Sequence, residues 1–239
     1  ILRLCYPIIL SKANHVFTHN ESDARFISNF LEKKNHSVVG GSGISIPKFQ
    51  LSRKPYNNPK IACFSRLIKD KGVVHYLEAT KLILKEFPFL KGNIVLAGRK
   101  YKANFKSNTV SDKEIDDWIK CGGIYIGQPT NKNKFYSSND VICLPSYREG
   151  LSNVLLEGGS NGCILMTTNV PGCKDVVCNN SGVLFEPKST HSLYIAIKRI
   201  INLNPQEQKD FRINCFNKIK NKFSKEKVIE SYHKILGIE

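Results

Sequence analysis

Short apolar segments alternate with helix-like segments from residue 60 onward, and this alternation limits the fold more than any other feature of the sequence. We predict strands at residues 61–64, 93–97, 123–126, 140–144, 163–167 and 182–185. Residues of one helical face recur between the first two strands (Val73, Leu77, Thr80, Leu84 and Phe87) and after the last (Leu193, Ala196, Ile197, Ile200 and Ile201). Strands that are apolar at nearly every position are typical of parallel sheets, which are buried on both faces. The pattern predicts an α/β fold with a doubly wound, mostly parallel, Rossmann-like sheet.

The composition is that of a globular protein. Of the 239 residues, 41% are apolar and 23% are charged, and no apolar run reaches the roughly 18 residues that a membrane span requires. There is no signal-peptide pattern at the N-terminus. The sequence starts at Ile1 and its single methionine is Met166. We therefore expect a fragment of a larger protein, or a processed or split gene product.

The chain is predicted to consist of two parts. Residues 1–46 are expected to be the C-terminal remnant of a preceding, second Rossmann-like domain. They comprise a strand at 14–18, a helix capped by Asn20 or Ser22 with Phe26, Ile27, Phe30 and Leu31 on one face, a short strand that begins at Val38, and a glycine-rich loop at 40–44. The second part is a domain with the bounds 47–239. Its first residues, the proline-containing stretch 47–59, are predicted to be the linker to the N-terminal part. Two helices are expected in 205–239, the last of them amphipathic.

The net charge of +16 has several interpretations. It favours nucleic acid, an anionic membrane face or phosphorylated substrates as partners, or it reflects a lysine- and asparagine-rich solvated surface. Because no basic run is interleaved with aromatic residues and no recognition-helix pattern is present, we predict no nucleic-acid binding. A peripheral position at the inner membrane leaflet stays open.

The eight cysteines are predicted to be structural. None forms a Cys-x-x-Cys pair, and Cys63, Cys143 and Cys163 lie in apolar, strand-like runs. This usage is typical of small buried side chains in a reducing cytoplasm. Neither the cysteines nor the six histidines show metal-ligand spacing, so we predict no metal site.

Residues 145–159 form the first motif with a chemical implication. A predicted strand leads into a loop that carries Glu149 and Gly150, and Ser152 is placed to cap a helix that carries Glu157. Free amides at a helix N-terminus bind anions. A carboxylate only accepts hydrogen bonds, so the two glutamates suit hydroxyl groups on either side of a phosphate, as in a nucleotide-sugar. The alternative is an ordinary strand-to-helix turn with two surface glutamates.

A second motif follows the first predicted strand. Arg66 offers a planar fork of donors, and Lys71 offers a point charge just before Gly72 and a helix. Together they would neutralise a diphosphate. The alternative is that the cations of this loop are simply solvated, as expected in a lysine-rich protein. We adopt this alternative for Lys69.

The two motifs resemble those of retaining glycosyltransferases of family 4, also called glycosyl transferases group 1, which have the GT-B architecture. The spacing of Glu149 and Glu157 matches the family's Glu-x7-Glu signature, and residues 65–72 match its Gly-Arg-Leu…Lys-Gly segment. The resemblance covers nearly the whole chain, which would be the donor-binding half. Ser65 replaces the usual glycine, Ser152 replaces a frequent proline, and Gly158 and Gly159 replace alanine and a larger apolar residue.

The resemblance also implies roles for individual residues. Glu149 would be catalytic and lie beside the donor sugar, and Glu157 would bind the ribose hydroxyls. The remaining implied residues are the diphosphate-binding Arg66, Lys71, Gly150 and Leu151, and Gly41 and Gly43 of an interdomain loop. The last helix, about 224–239, would pack back toward the N-terminal domain.

The activity implied by the resemblance is transfer of a hexose or N-acetylhexosamine from a nucleotide-diphosphate sugar, with retention of configuration. The expected acceptor is a glycan or lipid-linked glycan in surface polysaccharide biosynthesis. UDP is the favoured nucleotide, although no residue distinguishes uracil from guanine, and no metal or other cofactor is required. Because the family's acceptor site lies in the N-terminal domain, we expect the isolated chain to bind donor without transferring sugar. The alternative is an inactive nucleotide-binding or basic interaction module left from a split glycosyltransferase.

Overall fold

The structure is a computed structural model that describes residues 8–10, 12–30, 36–47, 53–100, 108–177 and 180–238. Within these ranges, eight strands form two sheets. The strands are β1 (Val16–Thr18), β2 (His36–Val38), β3 (Ile61–Phe64), β4 (Ile94–Ala97), β5 (Ile124–Tyr125), β6 (Val141–Leu144), β7 (Ile164–Thr168) and β8 (Gly182–Phe185). β1 pairs with β2, and the other six form a sheet in the order β5-β4-β3-β6-β7-β8. Every pairing is parallel.

Helices cover both faces of the larger sheet. The helices are α1 (Glu21–Ile27), α2 (Val73–Glu86), α3 (Asp112–Lys120), α4 (Lys132–Ser137), α5 (Asn153–Ser160), α6 (Thr190–Ile201), α7 (Pro205–Phe223) and α8 (Lys225–Leu236). Alternate residues of each strand point to opposite faces. Ile61 and Cys63 of β3 pack in the core formed with α2, α3 and α6, whereas Ala62 and Phe64 pack in the core formed with α4, α5 and α7.

The predicted doubly wound, parallel sheet is confirmed. The strands predicted at 61–64 and 182–185 have the predicted bounds, and those of the other four differ by one residue at one or both ends. Cys63, Cys143 and Cys163 are buried free thiols, as predicted. The two predicted C-terminal helices are α7 and α8.

The predictions for the N-terminal segment need correction at three points. The strand predicted at 14–18 is β1, which begins at Val16. β2 ends at Val38 rather than beginning there, because His36 already pairs with Val16 of β1. Helix α1 is capped by Asn20, whose side chain accepts from the amide of Asp23, and it ends at Ile27. The predicted helical face therefore extends too far, and Leu31, its last member, lies outside the described residues.

The strand order creates a crevice in the middle of the sheet. The chain proceeds outward from β3 to β4 and β5 on one side and from β6 to β7 and β8 on the other. The loops that leave the carboxyl ends of β3 and β6 therefore diverge, and doubly wound sheets bind ligands at this point. Both predicted motifs lie in these two loops.

The glycines at the end of α5 allow the helix to approach the sheet closely. An added Cβ at Gly158 would lie 2.9 Å from Cγ1 of Ile142, and one at Gly159 would lie 2.5 Å from Cδ1 of Ile219 and 2.6 Å from Sγ of Cys215. Gly158 thus packs on β6 and Gly159 on α7. Close packing therefore accounts for glycine at both positions, where the resemblance leads one to expect alanine and a larger apolar residue.

This packing predicts the effect of alanine at position 159. Alanine is favoured over glycine in a helix by ~1 kcal/mol, but overpacking here should dominate and lower the free energy of unfolding by about 1–3 kcal/mol. Urea denaturation measures the change. The matched control is Gly150→Ala, whose added Cβ would lie 3.8 Å from Nδ1 of His19, and it should change stability by less than about 0.5 kcal/mol. A Gly159→Ala variant more stable than the wild type would contradict the packing argument.

Candidate functional site

The two motif loops are in direct contact. Gly72 ends the loop after β3 with a φ of 67°, and an added Cβ there would lie 1.9 Å from the carbonyl oxygen of Pro145, the first residue after β6. Only glycine fits both the left-handed backbone and the contact. The amide of Tyr147 also donates to the carbonyl of Asp70 at 3.0 Å. The β3 and β6 loops therefore form one continuous surface at the crevice.

An ion pair joins the charged residues of the two loops. Nζ of Lys71 lies 2.5 Å from Oε1 of Glu149, and both side chains are 16% exposed. The second carboxylate oxygen of Glu149 has no partner in the part of the chain that the structure describes. The fold thus brings together two residues that the sequence placed in separate motifs, and it leaves Glu149 with free acceptor capacity.

The loop after β6 also presents two unpaired amides. The amides of Glu149 and Ser152 donate to the carbonyls of Pro171 and Gly172, at 3.4 and 3.2 Å. Across the described ranges, the amides between them, those of Gly150 and Leu151, have no acceptor. Ser152 caps α5, as predicted, by accepting from the amide of Leu155. The two free amides therefore lie at the N-terminal end of a helix, where the dipole favours an anion.

Arg66 is exposed in the loop after β3. Its guanidinium has no ion-pair or hydrogen-bond partner among the residues described, whereas Lys71 is paired with Glu149. In this loop Arg66 is therefore free to bind an anion without first losing a protein contact. The preceding Ser65 packs against Gly98, where an added Cβ would lie 1.8 Å from the Ser65 carbonyl oxygen.

Glu157 is held by two donors on α4. Its Oε1 lies 2.9 Å from Nζ of Lys132, and its Oε2 accepts from the hydroxyl of Tyr136 at 2.8 Å. Burial and the neighbouring Glu157 carboxylate raise the pKa of Tyr136 far above its usual range, so its hydroxyl stays protonated. The carboxylate borders a cleft of about 410 Å³ that Gly43 also lines.

Residues 1–46 contact the loop that carries Glu149. Asn20 Nδ2 donates to the carbonyl of Gly150 at 2.8 Å, and Arg148 Nη2 lies 2.9 Å from Oδ1 of Asp23. Gly41 has a φ of 69°, and an added Cβ there would lie 2.8 Å from Cδ2 of Leu151. The predicted interdomain glycine loop is therefore adjacent to the predicted phosphate site.

Several residues that shape the site have no distinctive signal in the sequence. No role was predicted for Lys132 or Tyr136, although they lie four residues apart and therefore share one face of a helix. Asn20 was predicted only as a helix cap. Nδ1 of His75, one of the six histidines, lies 2.9 Å from Oγ1 of Thr190 on a neighbouring helix.

Within the described residues, no three His, Cys, Asp or Glu side chains are grouped so that they could hold a metal ion. No helix in the same ranges is both long enough and apolar enough to cross a membrane.

The chain belongs to the glycosyl transferases group 1 family, whose model matches residues 47–217. It is 25% identical to the capsular polysaccharide biosynthesis glycosyltransferase CapM of Staphylococcus aureus, over 96% of this chain and 63% of the relative. It is also 25% identical to the N,N'-diacetylbacillosaminyl-diphospho-undecaprenol alpha-1,3-N-acetylgalactosaminyltransferase of Campylobacter jejuni, over 75% of this chain and 48% of the relative. The chain thus spans about half to two thirds of the length of these relatives.

A solved structure supports the fold assignment. Anabaena Alr3699/HepE in complex with UDP superposes with a TM-score of 0.80 over 99% of this chain and 67% of that chain. The sequence identity is 17%, so the similarity establishes the fold alone. Together with the strand order, it confirms the predicted fold class.

The partly buried Lys71–Glu149 pair should contribute to stability through direct coupling. A double-mutant cycle with Lys71→Ala and Glu149→Ala should give a coupling free energy of about 1–2 kcal/mol in denaturant unfolding, because each single variant leaves a poorly solvated charge without its partner. The matched control is the Lys227–Glu230 pair, whose side chains are 52% and 68% exposed and which should show no measurable coupling. Equal coupling in the two pairs would mean that the Lys71–Glu149 contact is an ordinary surface ion pair.

Proposed function

We propose that this chain is the donor-binding part of a glycosyltransferase that transfers a hexose or N-acetylhexosamine from a nucleotide-diphosphate sugar with retention of configuration. The observation that carries the proposal is the contact between the β3 and β6 loops at the crevice. The unpaired amides of Gly150 and Leu151 directly follow Glu149 of the Lys71–Glu149 pair, and the unpaired Arg66 belongs to the same loop as Lys71. The two loops meet at the position where doubly wound sheets bind nucleotides.

The diphosphate is proposed to bind between the two loops. Arg66 and the amides of Gly150 and Leu151 are unpaired, and Lys71 keeps two further ammonium protons beyond the one directed at Glu149. These donors would stabilise the charge that develops on a departing nucleoside diphosphate. Because the chain supplies this positive charge itself, the proposal includes no metal or other cofactor.

The two glutamates are proposed to bind the two polyol ends of the donor. Glu149 would act as the catalytic residue beside the sugar, where its second carboxylate oxygen would accept a sugar hydroxyl. Glu157 would accept from the ribose hydroxyls in the cleft that it borders. The pair of carboxylates would therefore fix the direction in which the donor lies across the crevice.

Residues 1–46 are proposed to be the end of a second, acceptor-binding Rossmann-like domain. Their parallel β1–α1–β2 unit is the connection from which such domains are built. The ring of Phe17 in β1 lies 4.9 Å from that of Tyr232 in α8, which supports packing of the last helix against this segment. Gly41 and Gly43 would then form the loop between the domains, next to the donor.

The acceptor and nucleotide are proposed from relatives. The named activity of the Campylobacter jejuni relative supports an acceptor that is a glycan linked to a lipid diphosphate. The name of the Staphylococcus aureus relative supports surface polysaccharide biosynthesis, and the UDP complex of the Anabaena structure supports UDP. A cytoplasmic protein at the inner membrane leaflet would fit a lipid-linked acceptor and the net charge of +16.

Calorimetric titration with UDP, GDP and ADP tests the donor site. We expect UDP to bind best and Arg66→Ala to weaken its binding about tenfold, because a diphosphate loses a charged bidentate donor. Glu157→Ala should also weaken it about tenfold by removing the acceptor for the ribose hydroxyls. The control is Lys69→Ala, which removes one positive charge from the same loop as Arg66→Ala does. It should alter the affinity for UDP by less than about twofold.

Two outcomes would contradict the proposal. Equal losses in Arg66→Ala and Lys69→Ala would indicate attraction by net charge rather than a diphosphate site. No binding of any nucleotide to the wild type would favour the alternative function, an inactive module left from a split glycosyltransferase.

A further inference from the structure

The carboxylate of Glu157 is fixed by two donors of very different mobility. Both are on α4, one turn apart, and each bonds a different carboxylate oxygen. Lys132 is 51% exposed on its side-chain surface, so its ammonium group can rearrange in solvent. Tyr136, in contrast, is completely buried. The hydrogen bond from Tyr136 therefore determines the orientation of the carboxylate.

Tyr136 is held in place by contacts that do not involve Glu157. Its ring packs against those of Phe64 and Phe135, with centroid distances of 6.3 and 5.3 Å. Its carbonyl accepts from Nη2 of Arg53 at 2.7 Å and from Sγ of Cys163 at 3.2 Å. The hydroxyl is consequently a donor with a fixed position. Replacing Tyr136 with phenylalanine would keep the ring packing and remove only the hydroxyl that bonds Glu157.

The geometry leaves Glu157 with two acceptor positions. An ionised carboxylate has about four lone-pair sites, and Lys132 and Tyr136 occupy one on each oxygen. One site per oxygen therefore remains, and the carboxylate borders the cleft. Two acceptors on a single fixed carboxylate match two neighbouring hydroxyl donors, as in the 2',3'-diol of a ribose.

We propose that Tyr136 is a positioning residue that, with Lys132, orients Glu157 to accept both hydroxyls of the ribose diol at once. This inference rests on the proposed function, because it assumes that a nucleoside diphosphate binds with its ribose at Glu157. It goes further in assigning selectivity for a ribonucleotide to a residue that acts through the Glu157 carboxylate. Preorganisation of this kind improves affinity by reducing the ordering that binding requires.

The test compares two ligands on a set of variants by calorimetry. The ligands are the best-bound of UDP, GDP and ADP and its 2',3'-dideoxy form, which lacks both hydroxyls. Tyr136→Phe should weaken binding of the ribonucleotide about three- to tenfold and leave that of the dideoxy form unchanged within about twofold. In a Glu157→Gln background, adding Tyr136→Phe should have no further effect on either ligand, because Tyr136 acts through the carboxylate.

The matched control is Tyr56→Phe. Tyr56 is also a buried tyrosine, and its hydroxyl donates to the carbonyl of Ile200 at 2.9 Å. This variant also loses the hydrogen bond of a buried tyrosine hydroxyl, here to a backbone carbonyl, and should leave the affinity for both ligands unchanged.

Each outcome supports or overturns the inference. Equal losses for both ligands in Tyr136→Phe would show a general structural role, and no loss for either would show that Glu157 needs no orientation. Either result overturns the inference while the nucleotide site itself stands. If the wild-type chain binds no nucleotide at all, the proposed function fails and this inference fails with it.

Discussion

The contact between Gly72 and the carbonyl of Pro145 is the constraint on which the rest of the site depends. It joins the loops from the two central strands, because there is no room for a Cβ between them. Once the loops touch, Lys71 and Glu149 are close enough to pair. The pair in turn lies beside the free amides of Gly150 and Leu151. A change that separates the loops would therefore remove several features of the site together.

The charges of the site are largely balanced before any ligand binds. Lys71 pairs with Glu149, and Lys132 pairs with Glu157, so each carboxylate that would otherwise repel a diphosphate has a neighbouring cation. The unpaired Arg66 adds net positive charge to the β3 loop. Such a distribution suits a ligand whose negative charge lies in the middle and whose hydroxyl groups lie at both ends. The overall charge of +16 is spread over the chain and does not by itself locate the site.

The sequence predicted the fold and the motif positions well because both depend on local patterns. Runs such as 61–64 are apolar throughout, and Ser152 is followed by a helical segment, so strands, caps and loops are visible without tertiary information. The order of the strands depends on long-range pairing, and no local pattern encodes it. The sequence placed the two motifs at carboxyl ends of strands but could not show that β3 and β6 are neighbours.

The residues that support the site were harder to find for the same reason. Tyr136 has the local appearance of an aromatic core residue, and its bond to Glu157 spans 21 positions. Asn20 is a helix cap by local criteria, and its bond to Gly150 spans 130 positions. A glycine pair at the end of a helix is compatible with weak local order as well as with a close approach, and only the positions of Ile142, Cys215 and Ile219 decide for the close approach.

A crystal structure of the chain soaked with UDP would test the central claim most directly. The account predicts diphosphate oxygens within hydrogen-bond distance of Arg66, Lys71 and the amides of Gly150 and Leu151, with the ribose hydroxyls on Glu157. UDP bound in another cleft, such as the one of about 480 Å³ lined by His19, Lys227 and Lys234, with the β3 and β6 loops empty, would contradict it.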